Sequence, residues 1–321
     1  MKTITPTFPI YTVPFWPAYL VQMRPYLLFI SGVAGLAGIA MTAEASTPSW
    51  KIIAAFLPFF FGYGFGQALT DCFQTDTDKL SAPYRPLSKG IISIRSVCVV
   101  SLIGLLLSGI ILYFLQPLNI WLCLLSVAGL ATYSFIKKNY WFAGPFYNAW
   151  IVGLLPVMGS LAVLPAHTSL PVEFYQTIVI TFFSYASFVL MGYLKDIDAD
   201  TATGYKTFPV VFGWKLTVTL GDLFAIITLS LFWILKDKNI FEYGFGLAGS
   251  FILIAGQVMA HISPNKNEKD ALFPIVSTVR SFILIHIAII LHYQEEWIVT
   301  LLVFYVFFEI ILFFRPSRYQ V

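Results

Sequence analysis

Apolar runs of about twenty residues recur along the chain, separated by short polar gaps. Ten of them read as membrane-spanning helices: roughly 26–46, 50–70, 94–116, 118–136, 144–166, 173–195, 213–235, 241–262, 272–292 and 296–314. Two gaps are longer than the rest, 71–93 and 196–212, and a third, "SPNKNEKDA", separates the eighth and ninth runs. The pattern predicts an all-α, multi-pass transmembrane helical bundle. The N-terminal "MKTITPTFPIYTVPFWPAYLVQM" is broken by prolines and lacks the apolar core and small-residue cleavage site of a signal peptide.

Composition agrees: 58% of the 321 residues are hydrophobic and 11% charged, against about 25% charged in a soluble domain. The net charge of +3 decides nothing, because orientation follows the placement of Lys and Arg. With the N-terminus inside, the inner side receives fifteen of them, including Lys2, Arg24, Lys79, Arg85, Lys89, Lys137, Lys138, Lys195, Lys206, Arg315 and Arg318. The outer side receives three, Lys51, Lys236 and Lys238, while Arg280 falls within a helix. That bias predicts an even number of spans and places both long acidic gaps on the cytoplasmic side.

Those gaps carry the candidate chemistry. "TDCFQTDTDKLSAPYRPLSKG" (70–90) and "YLKDIDADTATGYKTFPVVFG" (193–213) each follow an even-numbered helix, cluster aspartates and then turn basic. If the second helix runs on, Asp71, Gln74 and Asp78 share a face, as do Asp196 and Asp200, while Asp76 and Asp198 point elsewhere. Carboxylates facing lipid would be untenable, so they must meet water or a cation. Carboxylates together with phosphate oxygens are the usual setting for magnesium. Nearby Lys and Arg would match the remaining phosphate charge. Solvated loop ends are the simpler explanation for either stretch alone, and a less satisfactory one for two on the same side.

The same residues resemble the UbiA superfamily of intramembrane prenyltransferases. That family carries N-D-x-x-D-x-x-x-D, a loop ending R-P-x-x-x-G, then D-x-x-x-D followed by G-x-x-T-x-P-V. This chain has "TDCFQTDTD" (70–78), "RPLSKG" (85–90), "DIDAD" (196–200) and "GYKTFPVVFG" (204–213). "MRPYLLF" (23–29) and "YSFIKK" (133–138) resemble further family positions, and Asn148 sits where a Gly-Asn often follows. Two departures stand out: Thr70 replaces the Asn and Gln74 the central Asp.

The resemblance implies one prenyltransferase-like domain over 1–321, of nine or ten helices around a central lipid-accessible cavity with a cytoplasmic polar cap. It implies Mg2+ as cofactor, held by Asp71, Asp78, Asp196 and Asp200, which would also be the catalytic residues. Substrate-binding candidates are Thr70, Gln74, Arg85, Tyr133, Lys137, Asn148 and Lys206. The implied partners are a prenyl diphosphate, an aromatic or otherwise lipophilic acceptor and the lipid bilayer, with the bacterial inner membrane as the expected location. Lys137 could equally be a positive-inside anchor. Phe73, Tyr133 and Tyr193 lie near the motifs, where aromatic faces could stabilise a carbocation.

Other readings remain open at this point. A terpene cyclase on the same scaffold needs no acceptor, and a transporter or lipid-binding protein could use the acidic pairs for cations or protons. No basic, aromatic-interleaved soluble surface suggests nucleic acid. His167, His261, His286 and His292 are scattered and read as structural or interfacial. Cys72, Cys98 and Cys123 read as apolar thiols, and Glu309, inside the last apolar run, needs a partner or a wet face.

Overall fold

The computed structural model describes residues 7–165, 170–235 and 238–315. Lys2, His167, Lys236 and Arg318 lie outside them. A short helix α1 (Phe15–Gln22) precedes a 3-10 turn at Pro25–Leu27 and α2 (Leu28–Thr42). Then come α3 (Ser49–Asp71), the short α4 (Thr75–Ser81), α5 (Ile94–Leu115), α6 (Asn119–Asn139), α7 (Ala143–Val163) and α8 (Val172–Lys195). The short α9 (Ile197–Ala202), α10 (Phe208–Ile234), α11 (Ile240–Ile262), α12 (Glu268–Tyr293) and α13 (Ile298–Phe313) complete the chain. Among the described residues ten helices are long and apolar enough to cross a membrane, and they match the ten apolar runs within a few residues at most ends. The protein is therefore an integral, multi-pass membrane protein.

The helices are not equally sheltered. The first and ninth spans, α2 and α12, are 94% and 89% buried and form the axis of the bundle. The span built on α13 is 17% buried and presents most of its surface to lipid. Close approach of α2 and α7 depends on glycine: a Cβ at Gly38 would strike the Pro156 carbonyl, and one at Gly159 the Gly35 carbonyl.

Two corners break the pattern of straight spans, and both build the polar cap. α3 ends at Asp71, the chain turns through Cys72–Gln74, and α4 starts afresh. α8 ends at Lys195, and α9 starts directly after Asp196. The expected continuous face through Asp71, Gln74 and Asp78 is therefore not helical. The corner itself, with Gln74 as the residue preceding α4 at φ −122°, gathers them. α4 and α9 pack together, and Thr77 of α4 donates a hydrogen bond to Asp200 Oδ1 of α9 at 3.2 Å. The basic loop after α4 ends at Gly90, whose φ of +71° suits glycine.

Candidate active site

Asp71 is the most heavily bonded carboxylate of the cap. Its Oδ1 accepts from Arg24 Nη2 at 2.7 Å and Gln67 Nε2 at 3.2 Å, and its Oδ2 from Gln22 Nε2 at 2.6 Å. Arg85 Nη1 lies 3.6 Å from Asp71 Oδ2 and 2.8 Å from Asp78 Oδ2, so one guanidinium bridges both carboxylates. Arg24 holds its place with a φ of +55°, a left-handed backbone rare for arginine and typical of constrained functional positions. Burial pushes the Asp78 carboxyl above the usual carboxylate range even with Arg85 beside it.

The second corner is organised differently. Asp200 is fully buried, with hydrogen bonds from Thr77 and Thr207, the latter at 3.2 Å, and with Lys137 Nζ 3.5 Å away. Burial raises its carboxyl as well. Asp196 lies at the cavity wall, where its buried Oδ1 makes no hydrogen bond and Lys195 Nζ stands 3.7 Å off. Lys137 is 6% exposed; its ammonium lies 3.5 Å from Gln74 Oε1 and 5.2 Å from the ring centres of Tyr193 and Tyr205. It is a buried cation on the wall of the cup, not an exposed anchor. Gln74 Nε2 donates to Ser134 Oγ at 3.0 Å, so both ends of this amide are engaged.

These groups enclose a polar cup of about 670 Å³, walled by Arg24, Asp71, Asp78, Arg85, Lys137 and Asp196, with Gln74 and Lys195 among its other lining residues. Beneath it lies an apolar chamber of about 860 Å³ between α3, α5, α6 and α7, lined by residues such as Phe59, Leu105, Leu112, Leu130 and Ile151. Tyr63, Gln67, Tyr133, Asn148 and Tyr185 line both spaces and form the neck between them. Around the neck, Tyr63 and Tyr185 share a hydroxyl hydrogen bond at 3.0 Å, and Tyr133 and Tyr193 another at 2.8 Å.

Most of the sequence candidates converge here, but not all. Asp71, Gln74, Asp78, Arg85, Tyr133, Lys137, Asn148 and Asp196 line the cup. Asp200 does not; it stands behind Lys137. Thr70 faces the chamber and turns its hydroxyl back to the Gln67 carbonyl at 2.9 Å. Lys206 is exposed and lines neither space, although its neighbours Tyr205 and Thr207 are buried; its backbone N–H donates to the Lys138 carbonyl at 3.0 Å. Phe73 is 60% exposed and also stands outside. Asp76 pairs outside the cup with Lys138 at 3.0 Å.

The sequence reading assigned no site role to Arg24, Gln22, Gln67, Tyr63, Tyr185 or Lys195. Arg24 and Lys195 had a signal, since each adjoins a motif, "RPY" and "KDIDAD". His286 is buried and bonded to Thr181 and the Phe282 carbonyl, a structural role. Glu309 has its partner in Arg280. Among the described residues the cysteines are free.

A charged cup beside an apolar chamber, inside a transmembrane bundle, presents walls complementary to an anionic head and to an apolar tail. The sequence matches the UbiA prenyltransferase family over residues 29–283, and the chain belongs to that family of prenyltransferases. It is 30% identical over 216 residues to the digeranylgeranylglyceryl phosphate synthase of Thermococcus kodakarensis, covering 66% of this chain and 75% of that protein. The synthase of the same name from Pyrococcus abyssi is 24% identical over 79% of this chain and 89% of its own. Among solved structures, a UbiA homologue from Archaeoglobus fulgidus bound to DMAPP and Mg2+ superposes with a TM-score of 0.62 at 20% identity, over 85% of this chain and 98% of that one. A digeranylgeranylglyceryl phosphate synthase structure gives 0.60 at 20% identity, over 92% and 98%.

Among the described residues no three acidic, His or Cys side chains form a ready metal cage. Magnesium rarely uses one; it takes one or two carboxylates plus phosphate oxygens. Asp196, whose Oδ1 makes no hydrogen bond, and Asp78 both line the cup and carry carboxylates of that kind.

Proposed function

We propose that this protein transfers an isoprenyl chain from a prenyl diphosphate to a lipophilic acceptor, with the diphosphate in the cup and the chain in the chamber. The observation that carries this reading is that Tyr63, Gln67, Tyr133, Asn148 and Tyr185 line the charged and the apolar space alike, so that the two adjoin. Asp78 and Asp196, with Asp71 beside them, would hold magnesium, which when bound supplies Lewis-acid charge to the leaving diphosphate. Arg24, Arg85, Lys137 and Lys195 line the same cup and oppose the charge that grows on the diphosphate as the allylic C–O bond breaks. Asp71 fixes the Arg24 guanidinium, and Asp200 positions Lys137. The tyrosine rings of the neck stand where the organic fragment becomes cationic, and ring faces favour that charge.

The Lys and Arg bias supports a site open to the cytoplasm, in a cell's inner membrane. The names of the relatives support an acceptor lipid built on glyceryl phosphate alongside the aromatic alternative. Purified protein given magnesium and prenyl diphosphates of several lengths tests the reading. Pyrophosphate release that depends on an added acceptor is expected. Release with a cyclised product and no acceptor would replace transfer with cyclisation. No release at any length, with or without either class of acceptor, would leave a lipid-binding or transport role.

A further inference from the structure

We propose that Tyr205, which lines neither the cup nor the chamber, is a positioning residue for Lys137: its ring holds the Lys137 ammonium at the cup wall, where it meets the diphosphate. The inference rests on the reading that the cup takes that diphosphate. Lys137 belongs to α6 and is 6% exposed, yet it forms no tight ion pair. Its polar contacts, Asp200 Oδ1 and Gln74 Oε1, both stand at 3.5 Å, against about 2.7–2.9 Å for a well-formed bond from an ammonium to a carboxylate. Its other close neighbours are aromatic. The ring centres of Tyr205 and Tyr193 are each 5.2 Å from Nζ, inside the ~6 Å reach of a cation–π contact.

Ring faces suit a cation that must also bind substrate. They stabilise its charge without the tight hydrogen bonds a carboxylate would take, so the N–H donors of the ammonium stay open to phosphate oxygens. Asp200 supplies the competing pull, because it is fully buried and 3.5 Å from the same ammonium. With the ring attraction weakened, Lys137 would close on Asp200 and withdraw from the cup. Tyr205 is built to prevent that. It is 2% exposed and held at several points. Its backbone N–H donates to the Asp200 carbonyl at 2.8 Å, its hydroxyl donates to Asp76 Oδ1 at 3.3 Å, and its ring centre lies 4.8 Å from Lys138 Nζ. Lys138 also pairs with Asp76 at 3.0 Å. Asp76, outside the cup, thereby gains a part in the site: it ties α4 to the residue that steadies Lys137.

The test measures binding of inorganic pyrophosphate with magnesium to the full-length protein in a neutral detergent, by calorimetry, with thermal unfolding as the check on folding. Tyr205→Phe keeps the ring face and should bind within about twofold of the parent. Mono-, di- and trifluorinated phenylalanine in place of Tyr205 then drain negative charge from the ring face at nearly constant shape. Pyrophosphate affinity should fall stepwise, by about tenfold across the series, the scale of a desolvated cation–π contact. A residue that only packs would give a flat series. The fall should vanish in Lys137→Met and persist in Lys138→Met, a side chain 42% exposed in the parent. A flat series on a parent that binds pyrophosphate would overturn the positioning role. So would a fall that survives in Lys137→Met or disappears in Lys138→Met, because the ring would then serve another group. A parent that binds no pyrophosphate would overturn the reading of the cup, and this inference with it.

Discussion

The corners α3–α4 and α8–α9 share a design and divide the work. Each ends a long span, turns within a residue or three, and restarts as a helix of seven or six residues, Thr75–Ser81 or Ile197–Ala202. The first corner is the more heavily bonded. Asp71 takes Arg24, Gln22 and Gln67, and Arg85 bridges it to Asp78, so this corner holds two guanidinium groups at the cup while Asp78 still lines it. The second keeps a carboxylate oxygen of Asp196 without a hydrogen bond at the cavity wall, and it buries Asp200 to anchor Lys137. One acidic motif therefore organises cations while the other leaves an acid open, and the loss of acidity at Gln74 falls on the corner that needs it less.

Substitutions that reverse this division should have the largest effects. Asp196→Asn should lower turnover by about 10²–10³-fold, the scale for losing one preorganised electrostatic contact. Its unfolding temperature should stay near the parent's, because this oxygen carries no structural hydrogen bond. Parent-like turnover would show that the second corner is not the open one. Arg85→Gln should damage both activity and stability, since it strands Asp78, whose side chain is 11% exposed, and takes one of two guanidinium groups from Asp71. Breaking such a buried pair typically costs about 3–5 kcal/mol, which thermal unfolding would register. A variant as stable as the parent would mean the first corner is not held by its arginines.

The chamber offers a milder intervention. Gly62 and Gly109 line it, and a Cβ at Gly62 would meet nothing within 4 Å, while one at Gly109 would meet only Cys123 Cβ at 4.0 Å. Gly109→Leu should therefore fold normally and shift the preferred prenyl diphosphate to a shorter chain, read as kcat/KM across a length series. An unchanged length profile would place the tail elsewhere. Gln74 should have a smaller effect. Gln74→Leu breaks its contacts with Ser134 and Lys137 and should weaken substrate binding by about tenfold, the value of roughly one buried hydrogen bond. Gln74→Asp should alter the magnesium concentration needed for half-maximal rate. Lys206→Ala, on the exposed side of Gly204, should change neither rate nor affinity, and a clear loss would bring that ammonium back into the cup.

Much of this was legible in the sequence, for a physical reason. A spanning helix must satisfy its backbone within about twenty apolar residues, so the ten spans were written as apolar length. The aspartate corners were visible as charge where apolar length ended. The helical stripe through Asp71, Gln74 and Asp78 failed because periodicity cannot show a turn at Cys72–Gln74. Arg24 and Gln22 went unassigned because their partner Asp71 lies 47 and 49 positions away, a distance only packing closes. Lys206 echoed Arg85 by its place after the motif, yet its side chain is exposed while its neighbours Tyr205 and Thr207 turn inward. Asp200 matched the motif, yet burial and two threonines hold it behind Lys137.

The placement of head in the cup and tail in the chamber is most directly tested by photolabelling. A prenyl diphosphate carrying a photoreactive group at its tail end, bound with magnesium and irradiated, should form adducts on α5 and α6 between Leu105 and Leu130, where the chamber wall lies. Excess inorganic pyrophosphate should suppress them by competing for Arg24, Arg85 and Lys137 in the cup. Adducts concentrated on α10, α11 or α13, or labelling that pyrophosphate leaves unchanged, would contradict that placement.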